Sequence, residues 1–319
     1  MEVPQQQLPA AYEWFAEQIA GHHPSVIKNG KREIGLLKRR GSDKILKPKQ
    51  DGFRGECEVN VYKLLARALR HSTSGDVDGG GGDDAASNGW PDVNFKDVEG
   101  LARLTPVFHG LTTVAIDRSD HDFLILDDVT ASYSRPAILD IKMGRITFDP
   151  VAPAAKREKE ERKYPPQAIL GFRLLGYRMH YKDGRIVVKD KEWGKSFDEK
   201  NIAEGLSEFF SGRGPDASLM ADTLSKLDEI RQWFAVQKSF HFYASSLLFA
   251  YENDPSKPAS VQLVMIDFSH VFPAGNQLDT NYIHGLDFLH ATVTGVLEKF
   301  KSKPDSRTIT SQPLSTFLP

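Results

Sequence analysis

The chain has 319 residues, a formal charge of −2, 40% hydrophobic and 26% charged residues, the composition of an ordinary soluble globular protein of one or two domains. No global basicity argues for nucleic acid or a membrane surface, so any anion site must be local. One cysteine, Cys57, excludes an internal disulfide framework and fits a reducing compartment. Residues 1–20 hold Glu13 and Glu17 and no long apolar run, so neither a signal peptide nor a membrane anchor is expected there.

In chain order, Asp43 to Lys47 reads as a short strand closed by Pro48. Glu56 to Ala68 sets Val59, Tyr62, Leu65 and Ala66 at helical spacing. Ser72 to Asn88 is rich in Gly, Ser and Asp, with Gly79 to Gly82 in succession. It cannot bury apolar area and is expected to be a disordered loop with no role assigned. Phe123 to Asp127 and Ala137 to Met143 are apolar runs that suit buried strands. Gly171 to His180 and Arg185 to Lys189 read as strands turning at Asp183-Gly184. Leu219 to Phe242 carries a helical stripe of Met220, Leu224, Leu227, Ile230 and Phe234. Tyr243 to Tyr251 and Val261 to Phe268 look like paired strands, and Tyr282 to Phe300 like a closing helix. The Ser/Thr/Pro-rich residues 301–319 are expected to fray. Early strands with helices between them predict an α+β fold of two lobes, residues 1–130 and 131–300, followed by a flexible tail.

Several of these elements carry chemistry. Strand alternation puts Asp140 and Lys142 on one face. Phosphoryl transfer needs such a pair: a cation against the moving charge and a carboxylate to orient the attacking hydroxyl. Any isolated D-x-K can equally be a surface ion pair. Lys47 ends its strand, and Glu56 and Glu58 open the next helix. In a kinase-like N-lobe a strand lysine grips nucleotide phosphates and a helix glutamate steadies it. Glu58 lies deeper in the helix and takes the pairing role, while Glu56 suits the helix N-terminus. Asp267 closes the apolar strand Val264-Met265-Ile266, a place for a Mg²⁺ ligand. Lys156, Arg157, Lys159, Arg162 and Lys163 put five cations in eight residues. Such a run is commonly a solvated face, but Lys156 and Lys163 share one helical face and could clamp phosphates on a ring. No G-x-x-x-x-G-K-[ST] or H-R-D-x-x-x-x-N occurs, which argues against a P-loop enzyme and an ordinary protein kinase. His22-His23 and His284…His290 lack a metal spacing and read as structural or exposed.

The order of these motifs resembles the inositol polyphosphate kinase family. The residues that carry it are Pro136-x-x-x-Asp140-x-Lys142-x-Gly144, Leu46-Lys47-Pro48 with Arg54-Gly55-x-x-Glu58, and Leu126-Asp127-Asp128-Val129-Thr130. Phe148-Asp149-Pro150 followed by Lys163-Tyr164-Pro165, Ser245-Ser246-Leu247-Leu248 and Ile266-Asp267-Phe268-Ser269-His270 complete it. Residues 17–22 resemble the start of the family domain, and the short basic segment is most like the family's multikinase branch. Asp127 stands where the family typically has glutamate.

The resemblance implies a two-lobed protein-kinase-like fold with antiparallel sheets and ATP between the lobes. Adenine would meet the backbone near Asp127, Asp128 and Val129, with an acidic side chain on the ribose and Mg²⁺ on Asp267. Asp140 would orient the acceptor hydroxyl, or contact ribose or metal instead. Lys156 and Lys163 foremost, then Lys159 and Arg162, with His270 and Lys142, would hold substrate phosphates. A serine of the Ser245-Ser246 pair could lie near phosphate or metal. The implied substrate is inositol 1,4,5-trisphosphate, phosphorylated at the 6- and 3-hydroxyls to tetrakis- and pentakisphosphate. Phosphatidylinositol bisphosphate stays open as a further acceptor. Alternatives are an inositol hexakisphosphate kinase and a nuclear scaffold or transcriptional cofactor. A monomer in cytoplasm and nucleus, with no direct nucleic-acid contact, is the expectation.

Overall fold

The structure is a computed structural model that describes residues 6–19, 27–28, 31–74, 90, 93–214 and 216–302. The predicted Gly-rich loop beyond residue 74, the His22-His23 pair and residues 303–319 lie outside the described residues.

The first half of the chain forms β1 (Tyr12–Trp14), β2 (Ile27–Lys28), β3 (Lys31–Arg32), β4 (Leu37–Arg39), β5 (Lys44–Pro48), α1 (Phe53–Ser74), α2 (Phe95–Arg103), β6 (Phe108–Ile116) and β7 (Ser119–Asp127). Five of these strands pair as one antiparallel sheet in the order β1-β4-β5-β7-β6. Leu37, Leu46, Val114, Ile116 and Phe123 form a small core on it. Helix α1 extends beyond the predicted Glu56 to Ala68 at both ends, from Phe53 to Ser74. Its Tyr62 packs edge-on to Phe268 at 5.3 Å, which ties the helix to the second half of the chain.

The second half begins with β8 (Pro136–Met143), α3 (Ala154–Lys163), α4 (Gln167–Leu170), β9 (Phe172–His180), β10 (Ile186–Lys189), α5 (Lys191–Lys195) and α6 (Ile202–Phe210). It continues through α7 (Ala217–Phe234), β11 (Phe240–Phe242), β12 (Ser246–Glu252), β13 (Gln262–Ile266), β14 (Val271–Pro273) and α8 (Thr280–Ser302). A second antiparallel sheet has the order β10-β9-β8-β12-β13. Strand β8 sits at its centre and is buried along its length except at Lys142, as its near-continuous apolar run requires. Helices α7 and α8 cover one face, with Phe234 and Tyr282 stacked at 4.2 Å. Gly171 lets α8 approach closely: its φ is +70°, and a Cβ there would lie 2.5 Å from Gly285 Cα.

Two further boundaries move in the second half. The helical stripe from Leu219 stops at Phe234 rather than reaching Phe242. Gln237 turns the chain, its Nε2 donating to Phe240 O at 2.8 Å and its Oε1 accepting from Phe240 N at 3.0 Å. Phe240 and Phe242 then alternate inward as β11, paired with β14. The strand expected from Tyr243 starts at Ser246, because Ala244 takes a positive φ of 58°. Fold class is otherwise as expected: two lobes of antiparallel sheet and helix facing one cleft.

Candidate active site

A cavity of about 320 Å³ opens between the two sheets, and Lys47, Asp127, Asp128, Val129, Asp140, Lys142 and Asp267 all line it. Strand β5 delivers Lys47. Its Nζ donates to Glu58 Oε1 at 2.6 Å and pairs with Asp267. Glu58, on α1, is fully buried and also accepts from Phe268 N at 3.1 Å. Burial pushes the Lys47 pKa down, but the charges of Asp267 and Glu58 outweigh it and hold the ammonium above its ordinary value.

The second sheet brings the D-x-K pair to the same cavity. Lys142, Ser246 and Ile266 are cross-strand neighbours on β8, β12 and β13, so Asp267 leaves β13 one residue past the Lys142 row. Asp267 has a φ of +68°, a strained position for a non-glycine residue of the kind that gathers at functional sites. Burial first, and then repulsion from Asp267, push the Asp140 carboxyl up to about 7. Its Oδ1 is buried with no hydrogen-bond partner. Burial also lowers the Lys142 pKa, with Asp267 opposing and Arg173 adding to the fall. Gly144, at φ +98°, ends this strand where a Cβ would meet Asn281 Nδ2 at 2.7 Å.

An orphaned buried carboxylate oxygen opposite a second carboxylate fits a divalent cation. Among the described residues no cluster of three or more His, Cys, Asp or Glu could hold a metal. Two carboxylates suit Mg²⁺, which keeps water and takes substrate phosphates as its other ligands.

At the hinge the two acidic side chains have partners within the protein. Asp127 Oδ1 is held by Lys44 at 2.9 Å and His109 Nε2 at 2.7 Å, and burial's upward push on its pKa is outweighed by these partners. Asp128 is buried. It accepts from Lys38 Nζ at 2.5 Å, Thr130 N at 2.8 Å and Thr130 Oγ1 at 2.6 Å. Both carboxylates brace the lobe.

The predicted clamp splits. Lys156 Nζ and His270 Nδ1 converge on the buried Asp149 carboxylate at 3.3 and 3.0 Å. Burial, then the Arg54 charge, lower the His270 pKa against the pull of Asp149. Lys163 instead pairs with Glu160 at 2.5 Å, Arg162 pairs with Glu158, and Lys159 is exposed. None of these five basic residues lines the cavity. Four of them lie on or beside α3, a helix with no buried residue, and His270 meets that group through Asp149. Ser246 is buried beside Lys142. Of the remaining histidines, His284 Nε2 meets Ile169 O at 2.7 Å and His290 lies 3.2 Å from Asp228, both structural.

Sequence reasoning passed over several lining residues. Phe15, Glu17, Gln18, Ile19 and Leu36 close the cavity from the N-terminal side. Glu17 straps the two sheets together, accepting from Arg178 Nε at 3.1 Å and meeting His180 Nε2 at 2.8 Å on β9. Nothing local marks this role, because the partners are more than 160 positions away.

Two lobes joined by a hinge, with a strand lysine, a helix glutamate and an aspartate at a strand end, define a kinase-like nucleotide fold. The sequence model described as "Inositol polyphosphate kinase" matches residues 123–294, more than half the chain and the stretch holding Asp140, Lys142 and Asp267, and the chain belongs to that family. A human inositol polyphosphate multikinase is 28% identical over 92% of this chain and 64% of its own length. A rice (Oryza sativa) inositol polyphosphate multikinase is 28% identical over 89% of this chain and 96% of its own. The chain thus spans under two thirds of the human relative. A crystal structure of an S. cerevisiae inositol phosphate multikinase in complex with ADP and Mn²⁺ superposes with a TM-score of 0.55, at 23% identity, over 62% of this chain and 90% of that one, which bears on the fold.

Proposed function

We propose that the protein is an ATP-dependent inositol polyphosphate kinase that phosphorylates inositol 1,4,5-trisphosphate at its 6- and 3-hydroxyls. The observation that carries this reading is the convergence of Lys47, Glu58, Asp267, Asp140 and Lys142 on one cleft between the sheets. The names of the human and rice relatives support the acceptor class, and the ADP and Mn²⁺ of the yeast structure support a nucleotide with a divalent cation.

Lys47, steadied by Glu58, holds nucleotide phosphates, and the hinge backbone at Asp127 to Val129 receives adenine. Asp267, with Asp140 beside it, would hold Mg²⁺, which when bound neutralises charge on the β- and γ-phosphates. Lys142 meets charge on the transferring phosphoryl group. Asp140 accepts a hydrogen bond from the attacking hydroxyl and orients it. Lys156 and His270, set by Asp149, meet acceptor phosphates, with Arg54 close by. Positioning and electrostatics carry most of such a reaction. Residence in cytoplasm and nucleus, a monomeric state and use of phosphatidylinositol bisphosphate belong to the same reading.

The test is turnover of inositol 1,4,5-trisphosphate with ATP and Mg²⁺, product isomers resolved by anion exchange. Successive tetrakis- and pentakisphosphates are expected. Turnover only of the hexakisphosphate, to a pyrophosphate, would make this a hexakisphosphate kinase. No turnover of either would leave a scaffold.

A further inference from the structure

Arg173 has buried polar surroundings with no role in the proposed reaction. It lies on β9 directly opposite Lys142 of β8. Directly paired residues of an antiparallel ladder project from the same face, and Lys142 lines the cavity. Two cations therefore stand side by side on the cavity face of the second sheet. Like charges in that relation destabilise a sheet.

The usual remedy is a carboxylate paired with one of them, but Asp140 and Glu160 reach both cations only through longer-range attraction. Among the described residues neither Lys142 nor Arg173 makes an ion pair. Glu160, which faces Arg173 from α3, is already engaged by Lys163 at 2.5 Å. Arg173 Nε is buried with no hydrogen-bond partner, and the guanidinium lies over the Tyr164 ring at 5.7 Å. That ring orients the fork and offers it no anion. A buried donor without an acceptor is costly, and a planar fork held on an aromatic face is the group best suited to take two oxygens of a phosphate.

Position fits the same purpose. Lys142 lies between Arg173 and the Asp267 side of the sheet. Arg173 is on the far side, toward α3 and its cations, where an acceptor ring would enter.

We propose that Arg173 and Lys142 form a two-cation seat for a phosphate monoester of the acceptor, with Arg173 as a substrate-binding residue that fixes which ring hydroxyl faces Asp140. The assignment to an acceptor phosphate rests on the function proposed above. Arg173 does not contact the nucleotide.

The experiment compares wild type, Arg173→Leu and Arg173→Lys without ATP. Calorimetry follows inositol 1,4,5-trisphosphate, phosphorus NMR follows inorganic phosphate, and a separate MgATP titration reports on the nucleotide side. Arg173→Leu is expected to weaken both phosphate ligands by at least about tenfold, as loss of a bidentate charged contact does, and to leave MgATP affinity within about twofold. Arg173→Lys, keeping the charge without the fork, recovers part of the loss. Wild-type affinity for both ligands in Arg173→Leu overturns the seat, as does an equal loss of MgATP binding. Wild type that binds neither ligand overturns it too. If wild type rejects the trisphosphate but Arg173→Leu still loses inorganic phosphate, the seat stands and the proposed acceptor falls.

Discussion

Asp140 is buried with an unpartnered Oδ1 and a carboxyl raised from 3.8 to about 7. Its folded pKa thus exceeds its unfolded one, so between these values the folded state binds the extra proton. Ionising it therefore costs stability, and the cost grows as pH rises from about 4 to about 7. Fully expressed, a rise of this size corresponds to roughly 4 kcal/mol. Asp140→Asn removes the charge and keeps the shape. Without metal or nucleotide, the variant is expected to be more stable than wild type, by an amount that increases by roughly 2.5 kcal/mol between pH 5 and pH 8. Urea titrations in EDTA at both pH values read this directly, and melting temperatures should diverge by roughly 5 °C over the same interval. The same variant should lose phosphoryl transfer. A stability gap that stays constant with pH, or wild type that grows more stable from pH 5 to pH 8 while the variant does not, would refute the burial argument.

Other substitutions separate the parts of the site. Lys47→Met leaves the fully buried Glu58 charge without its cation, so it should cost about 3–5 kcal/mol in denaturant titrations as well as abolish nucleotide binding; a variant of unchanged stability would remove Glu58 from the pairing role. Asp149→Asn frees His270 and Lys156 from their shared carboxylate and should raise the acceptor KM about tenfold with the ATP KM unchanged; equal changes in both would contradict the division of the site. Gly171→Ala places a Cβ 2.5 Å from Gly285 Cα at a positive φ and should cost about 1–3 kcal/mol, read as a lowered melting temperature without a change in either KM.

The Asp140–Lys142 row of the candidate site was legible in the sequence because its signals are local. Pro136 to Gly144 carries strand, alternation and stop within nine positions, and Asp267 sits at the end of an apolar run. Lys47 and Glu58 were legible for the same reason, lying eleven positions apart on adjacent elements. What escaped depends on partners far along the chain. The partner of the Asp128 carboxylate is Lys38, 90 positions away, which no local pattern shows. Glu17 becomes a strap only when β9 reaches it. Arg173 reads as an ordinary strand arginine until the register places it against Lys142. Phe240 and Phe242 continued a helical stripe, but Gln237 ended it through contacts that no periodicity records.

The central claim is that Lys142, set on β8 beside Asp140 and Asp267, carries the phosphoryl-transfer step. Rapid-quench single turnover of γ-labelled ATP with inositol 1,4,5-trisphosphate, wild type beside Lys142→Ala, tests it most directly. The account predicts a chemical step slowed by about a thousandfold or more with MgATP affinity within about twofold, since Lys47 and the hinge hold the nucleotide. Transfer at the wild-type rate in Lys142→Ala, or a loss explained wholly by lost MgATP binding, would contradict it.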